Sequence, residues 1–200
     1  MKMNKMLRKR LADHRGFSIA ELMVTILILV MVSGVVAAGI PVAANAYYKV
    51  VDVANGQVLL STTATAMRTQ LESATEIVEL IDETNRKGVL FKCKSTGVTG
   101  LVWDKARAGD GVLIIPYMAE DDSGKYKEQM DVSNSTPLFT RPLVSLRAAT
   151  DNLHTEFSSI TYDADKKLLT IQNLQVVRIA NGETKVIAKM DVFYIRAVNA

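Results

Sequence analysis

A single cysteine, Cys93, stands in the whole chain, so no intramolecular disulfide and no cysteine cluster around a metal can hold it together. Histidine is almost as scarce. His14 and His154 have no second ligand at useful spacing, and no zinc motif, phosphate loop, dinucleotide fingerprint or nucleophile elbow occurs in the 200 residues. Acyl, phosphoryl and metal-dependent enzymes need constellations that are missing here. The chain is therefore expected not to be an enzyme and to carry no cofactor or metal. Cys93 reads as a small apolar strand residue.

Charge is missing over a long stretch as well: no charged residue lies between Leu22 and Tyr48. Its strongly apolar part, Leu22 to Ile40, has 19 residues, about 29 Å of helix, close to the hydrocarbon thickness of a bilayer. Positive charge is scarce wherever a nucleic-acid binder would need it. The sequence pI near 8.9 comes from residues 1–16, which hold six cations (Lys2, Lys5, Arg8, Lys9, Arg10 and Arg15) against Asp13. The remaining residues hold 18 cations against 20 anions. A mildly acidic body has no basic face to release counterions from phosphates, so nucleic-acid binding by bulk charge is not expected.

A basic block just before an apolar span, with the lone Lys49 after it, fixes the N-terminus in the cytoplasm and exports the chain beyond the span. Three readings fit such a start. A cleaved secretory signal would use Pro41 as a helix breaker ahead of Ala44-Asn45-Ala46, although the apolar run exceeds the usual signal core of roughly 7 to 15 residues. A permanent signal anchor has no use for Glu21, an acid placed where the apolar run begins, and an intramembrane carboxylate is a functional candidate by default. The third reading is a processed leader, and it explains Glu21.

Arg15-Gly16-Phe17-Ser18-Ile19-Ala20-Glu21-Leu22-Met23-Val24 resembles the processing motif of type IV prepilins and type II secretion pseudopilins. The resemblance covers about the first 40 residues. It implies that prepilin peptidase, a membrane aspartic peptidase, cuts between Gly16 and Phe17 and methylates the new amine of Phe17. It also implies that Glu21, fifth in the mature chain, neutralises the terminal ammonium of a neighbouring subunit. Glycine before the cut suits a peptidase that needs close approach to the backbone. Pro41 departs from the family, many of whose members carry a proline a few residues earlier. The implied partners are prepilin peptidase, membrane lipid, an inner-membrane assembly platform with its ATPase, and other pilin subunits in a homo- or hetero-polymer. The implied location is the cytoplasmic membrane, as a single-pass protein, and then an extracytoplasmic filament. A pseudopilin of a type II secretion or DNA-uptake system uses the same segment, and a secreted binding protein or enzyme cut after Ala46 is the alternative from another class.

Beyond Pro41 the pattern becomes amphipathic. Positions 46, 50, 53, 57, 60, 64, 67, 71, 74, 78 and 81 advance in steps of four and three and are apolar except Gln57, which predicts one stripe on a continuous helix. Lys49, Asp52, Thr62, Thr69, Glu72, Glu76 and Glu83 fall on the opposite, solvated face. Glu76 to Ile81 also reads as an edge strand, and Lys87-Gly88 sets the outer limit of the helix. Strands are expected at Gly88–Lys94, Val98–Trp103 and Val112–Met118. Residues 119–142 read as an irregular, partner-facing loop, in which Glu120-Asp121-Asp122 lacks spaced calcium ligands and reads as a solvated turn. The last third predicts Phe157–Tyr162, a turn at Asp163–Lys166, then Leu168–Ile179 and Lys185–Val198 joined by Asn181-Gly182. In the last strand Val186, Ala188, Met190, Val192 and Tyr194 form the expected buried face.

The expectation is an α+β chain of pilin-like design. It has a basic leader at 1–16, a hydrophobic transmembrane and assembly helix at 17–46, and a globular part at 47–200. In the last, an amphipathic helix running to about 74–87 packs on an antiparallel sheet.

Overall fold

Valine, alanine and leucine are the commonest residues of the first described segment, which forms one helix, α1, from Ile19 to Glu72. The computed structural model of the chain describes residues 18–94, 97–119, 126–128, 140–144, 152–180 and 183–197. Gly16, Phe17, the Glu120-Asp121-Asp122 group and the Asn181-Gly182 turn lie outside the described residues. The chain divides into two compact units, one up to Lys49 and one from Val50 onward.

The helix stops at Glu72, short of the expected range. Ser73 donates its hydroxyl to the Gln70 carbonyl at 2.7 Å, and both the amide and the hydroxyl of Thr75 reach the Lys92 carbonyl, at 2.8 and 2.9 Å. Those bonds turn the chain into β1 (Glu76–Glu83), so the strand reading of this segment holds and the longer helix does not. A stripe repeating every 3.5 residues also drifts around a helix of 3.6 residues per turn. The buried face is accordingly Gly56, Leu59, Leu60, Thr63, Ala64, Met67 and Leu71, while positions 46, 50, 53 and 57 of the expected stripe are exposed. Thr63 is tolerated inside because its hydroxyl donates to the Leu59 carbonyl at 2.8 Å.

Two antiparallel sheets follow where one was expected. The first runs β1, β2 (Arg86–Cys93), β3 (Gly97–Asp104), β4 (Val112–Ala119) and β5 (Tyr126–Glu128) in sequence order, with β6 (Arg141–Pro142) also on β4. The second is built on β9 (Leu168–Ala180), which pairs with β10 (Glu183–Arg196) on one side and with β7 (Leu153–Glu156) and β8 (Ser159–Asp163) on the other. Helix residues Leu60, Met67 and Leu71 share one core with Val89, Phe91 and Leu101 of the first sheet and with Leu169, Ile171, Leu174 and Phe193 of the second. Cys93 is a core-facing strand residue, as expected. A smaller cluster of Leu90, Val102, Leu113, Ile115 and Tyr117 occupies alternate positions of the first sheet. At its edge Arg86 donates to the Tyr117 hydroxyl at 2.7 Å and to the Glu128 carboxylate, which ties the short β5 to β2.

The sheets are joined at the turn before β4. Val112 donates its amide to Thr155 Oγ1 at 3.2 Å, and a Cβ on Gly111, whose φ is 71°, would sit 2.7 Å from that oxygen. Only glycine suits both the conformation and the gap.

The expected buried face of β10 fails at three of its five positions. Ala188 and Met190 pack against the core, but Val186, which precedes a register shift, and Val192 and Tyr194 are exposed, and Phe193 and Ile195 are buried instead. The cause is Asn173, which holds φ 52° in the middle of β9. Ile171 and Leu174 are both fully buried although three positions apart. The left-handed residue between them reverses the inward phase, and β10 follows in register through the Met190–Leu174 and Val192–Gln172 pairs.

Candidate functional site

Glu21 lies in the first turn of α1 and is locally engaged. Its carboxylate accepts the Ser18 amide at 3.1 Å, and its own amide donates to Ser18 Oγ at 3.3 Å. This reciprocal capping box satisfies two of the four amides that a helix start leaves open, and an acid there also favours the positive end of the helix dipole. Ser18-Ile19-Ala20-Glu21 carries the capping pattern in the sequence, a signal masked by the motif that overlaps it. Thr25 then donates its hydroxyl to the Glu21 carbonyl at 2.7 Å.

From Glu21 the helix offers an unshielded apolar surface. It is long and apolar enough to cross a membrane, and none of its most apolar 18-residue window is buried. Met23, Ile26, Leu27, Val30 and Met31 recur at helical spacing and line one apolar groove. Pro41 does not break the helix. It removes one amide donor, and the turns on either side keep their bonding. Ala44-Asn45-Ala46 is consequently helical rather than extended. Tyr47 and Tyr48 pack edge to face with ring centroids 6.1 Å apart, directly after the apolar stretch. Tyrosines concentrate where hydrocarbon gives way to water, a signal that charge and hydropathy alone pass over.

Asp52 does not sit on a solvated face. Arg178 on β9 grips its carboxylate with two bonds, Nη1 to Oδ2 at 2.5 Å and Nη2 to Oδ1 at 2.6 Å. Hydrogen bonding from Arg178 holds the Asp52 carboxyl below its ordinary range, against a smaller opposing effect of burial; the charges of Arg178 and Lys185 act in the same direction as the hydrogen bond. Sequence spacing could not have found this pair, because its members are 126 residues apart. Among the described residues no group of three or more His, Cys, Asp or Glu side chains could hold a metal ion. No family model matches the chain, and no curated protein or solved structure shows significant similarity to it.

Proposed function

We propose that the chain is a filament subunit of the type IV pilin kind, cut between Gly16 and Phe17, held in the cytoplasmic membrane by its apolar helix and then polymerised through that helix. The carrying observation is an acid at the helix start followed by a continuously helical apolar stretch, every residue of which from Leu22 to Ile40 is exposed. A helix apolar on all sides must be covered by lipid or by other helices. The carboxylate at its head caps the helix in the single chain and is also placed to pair with a neighbouring subunit when the cover changes from one to the other. In lipid, Glu21 is satisfied by Ser18; in a filament, a neighbour's ammonium takes that place. The helical state of Ala44-Asn45-Ala46 favours this reading over secretion after cleavage at Ala46.

The test is fractionation of the cells that make the chain. Shearing should release it in pelletable filaments, together with other subunits. Recovery solely from the membrane would leave an anchor, and recovery as a soluble protein would favour the secreted alternative.

A further inference from the structure

The globular unit holds its helix in two different ways. From Leu59 onward the helix is bound by the apolar core. Before it the hold is lighter: Val50, Val53, Ala54, Gln57 and Val58 are exposed, Val51, Asp52 and Asn55 are half-buried, and of residues 50–58 Gly56 alone is fully buried. The contacts that tie these turns to the β9–β10 hairpin include two at successive helical turns. One is the bidentate Asp52–Arg178 pair. The other lies one helical turn further on, where a Cβ on Gly56 would stand 2.6 Å from Ile187 Cγ2.

Both contacts are built by irregular features of the hairpin. The β10 register shifts between Val186 and Ala188, so Ile187 is the extra residue of a bulge, the device by which a strand re-aims one side chain. Arg178 and Lys185 are direct cross-strand partners, and two cations opposite each other repel unless an anion sits between them. Asp52 supplies that anion.

We propose that Asp52–Arg178 and Gly56–Ile187 form a clasp that docks helix residues 50–58 separately from the core, so that these turns can leave the sheet while Leu59 to Leu71 stay packed. Its use in assembly rests on the filament reading: opening would add about 13 Å of undocked helix for contact with neighbouring subunits. The clasp itself is a property of the single chain and is tested without assembly.

The experiment is hydrogen exchange on the full chain in detergent micelles, with peptides covering 50–58 compared with 60–71. In Asp52→Asn, amides of 50–58 should exchange about tenfold faster, the effect of losing charge-assisted bonds at a locally opening segment, while 60–71 keep their wild-type rates. Gly56→Ala should open the same segment without altering any charge, and adding Ile187→Ala should close it again by making room. Unchanged exchange at 50–58 in both single variants overturns the clasp. Faster exchange spread equally through 60–71 overturns it too, because the contacts would then brace the whole domain. Neither result depends on cleavage at Gly16 or on polymerisation, so failure of the clasp and failure of the filament reading are seen separately.

Discussion

Replacing Asn173 by valine tests the kink that turns the two longest strands. Valine at φ 52° forces a β-branched side chain into the left-handed region, at a cost of roughly 1–2 kcal/mol. The chain could escape that strain by letting residue 173 become extended, but the inward phase would then run unbroken along β9. Either Leu169 and Ile171 or Leu174 and Val176 would turn to the outer face, and all four are fully buried. Exposing two such side chains costs roughly 3–6 kcal/mol, so the strain is the cheaper outcome and the kink should persist. Asn173→Val is therefore expected to lose about 1–2 kcal/mol, a fall of about 3–6 °C in melting temperature for a unit of this size. Asn173→Gly, free at positive φ, should stay within about 0.5 kcal/mol of the wild type. Urea unfolding of the chain in detergent micelles, followed by circular dichroism of the sheets, measures both. The reasoning fails if the valine variant is as stable as the wild type, or if the glycine variant loses as much as the valine one.

Glu21→Gln retains an oxygen that can accept the Ser18 amide, so the capping box survives and only the charge is removed. This variant should be inserted and cut normally yet enter filaments poorly, with Glu21→Asp intermediate; the ratio of sheared to membrane-bound subunit is the measure. Ser18→Ala, which weakens the cap and keeps the charge, should incorporate better than Glu21→Gln. Acid should act on the globular unit partly through Asp52, whose carboxyl is held below its ordinary value of 3.8 in the folded chain. A depressed carboxyl stabilises fully above that ordinary value, and the contribution is lost as pH falls through the lower folded value. The stability gap between wild type and Asp52→Asn in urea titrations should thus narrow on acidification from about pH 5 to about pH 3.

Much of the fold was legible because its signals are local. Val98, Leu101 and Val112 sit in strands whose ends lie within two residues of the expected ones, and β9 and β10 flank the Asn-Gly pair as turn chemistry requires. The helix end was harder to read. Glu76 to Ile81 carries apolar residues compatible with both periods, and Thr75 bonding to Lys92 decides between them through a contact that no spacing reveals. The face of β10 was misread because one asparagine in the partner strand sets its phase. At the helix start, Glu21 was legible as an acid out of place, whereas its pairing with Ser18 needed the geometry. Asp52 shows the opposite limit: as a lone acid on a helix it reads as solvated, and Arg178 is beyond the range of any sequence period.

The most direct measurement is the intact mass and N-terminal sequence of the chain recovered from the cells that make it. The account predicts a polypeptide that begins at Phe17 and carries a methyl group on its amine. A chain that begins at Tyr47 would contradict it, because Glu21 and the apolar helix would be gone, and so would one that retains Met1 to Gly16 in its final location, because a neighbour's terminal ammonium would not stand where Glu21 could neutralise it.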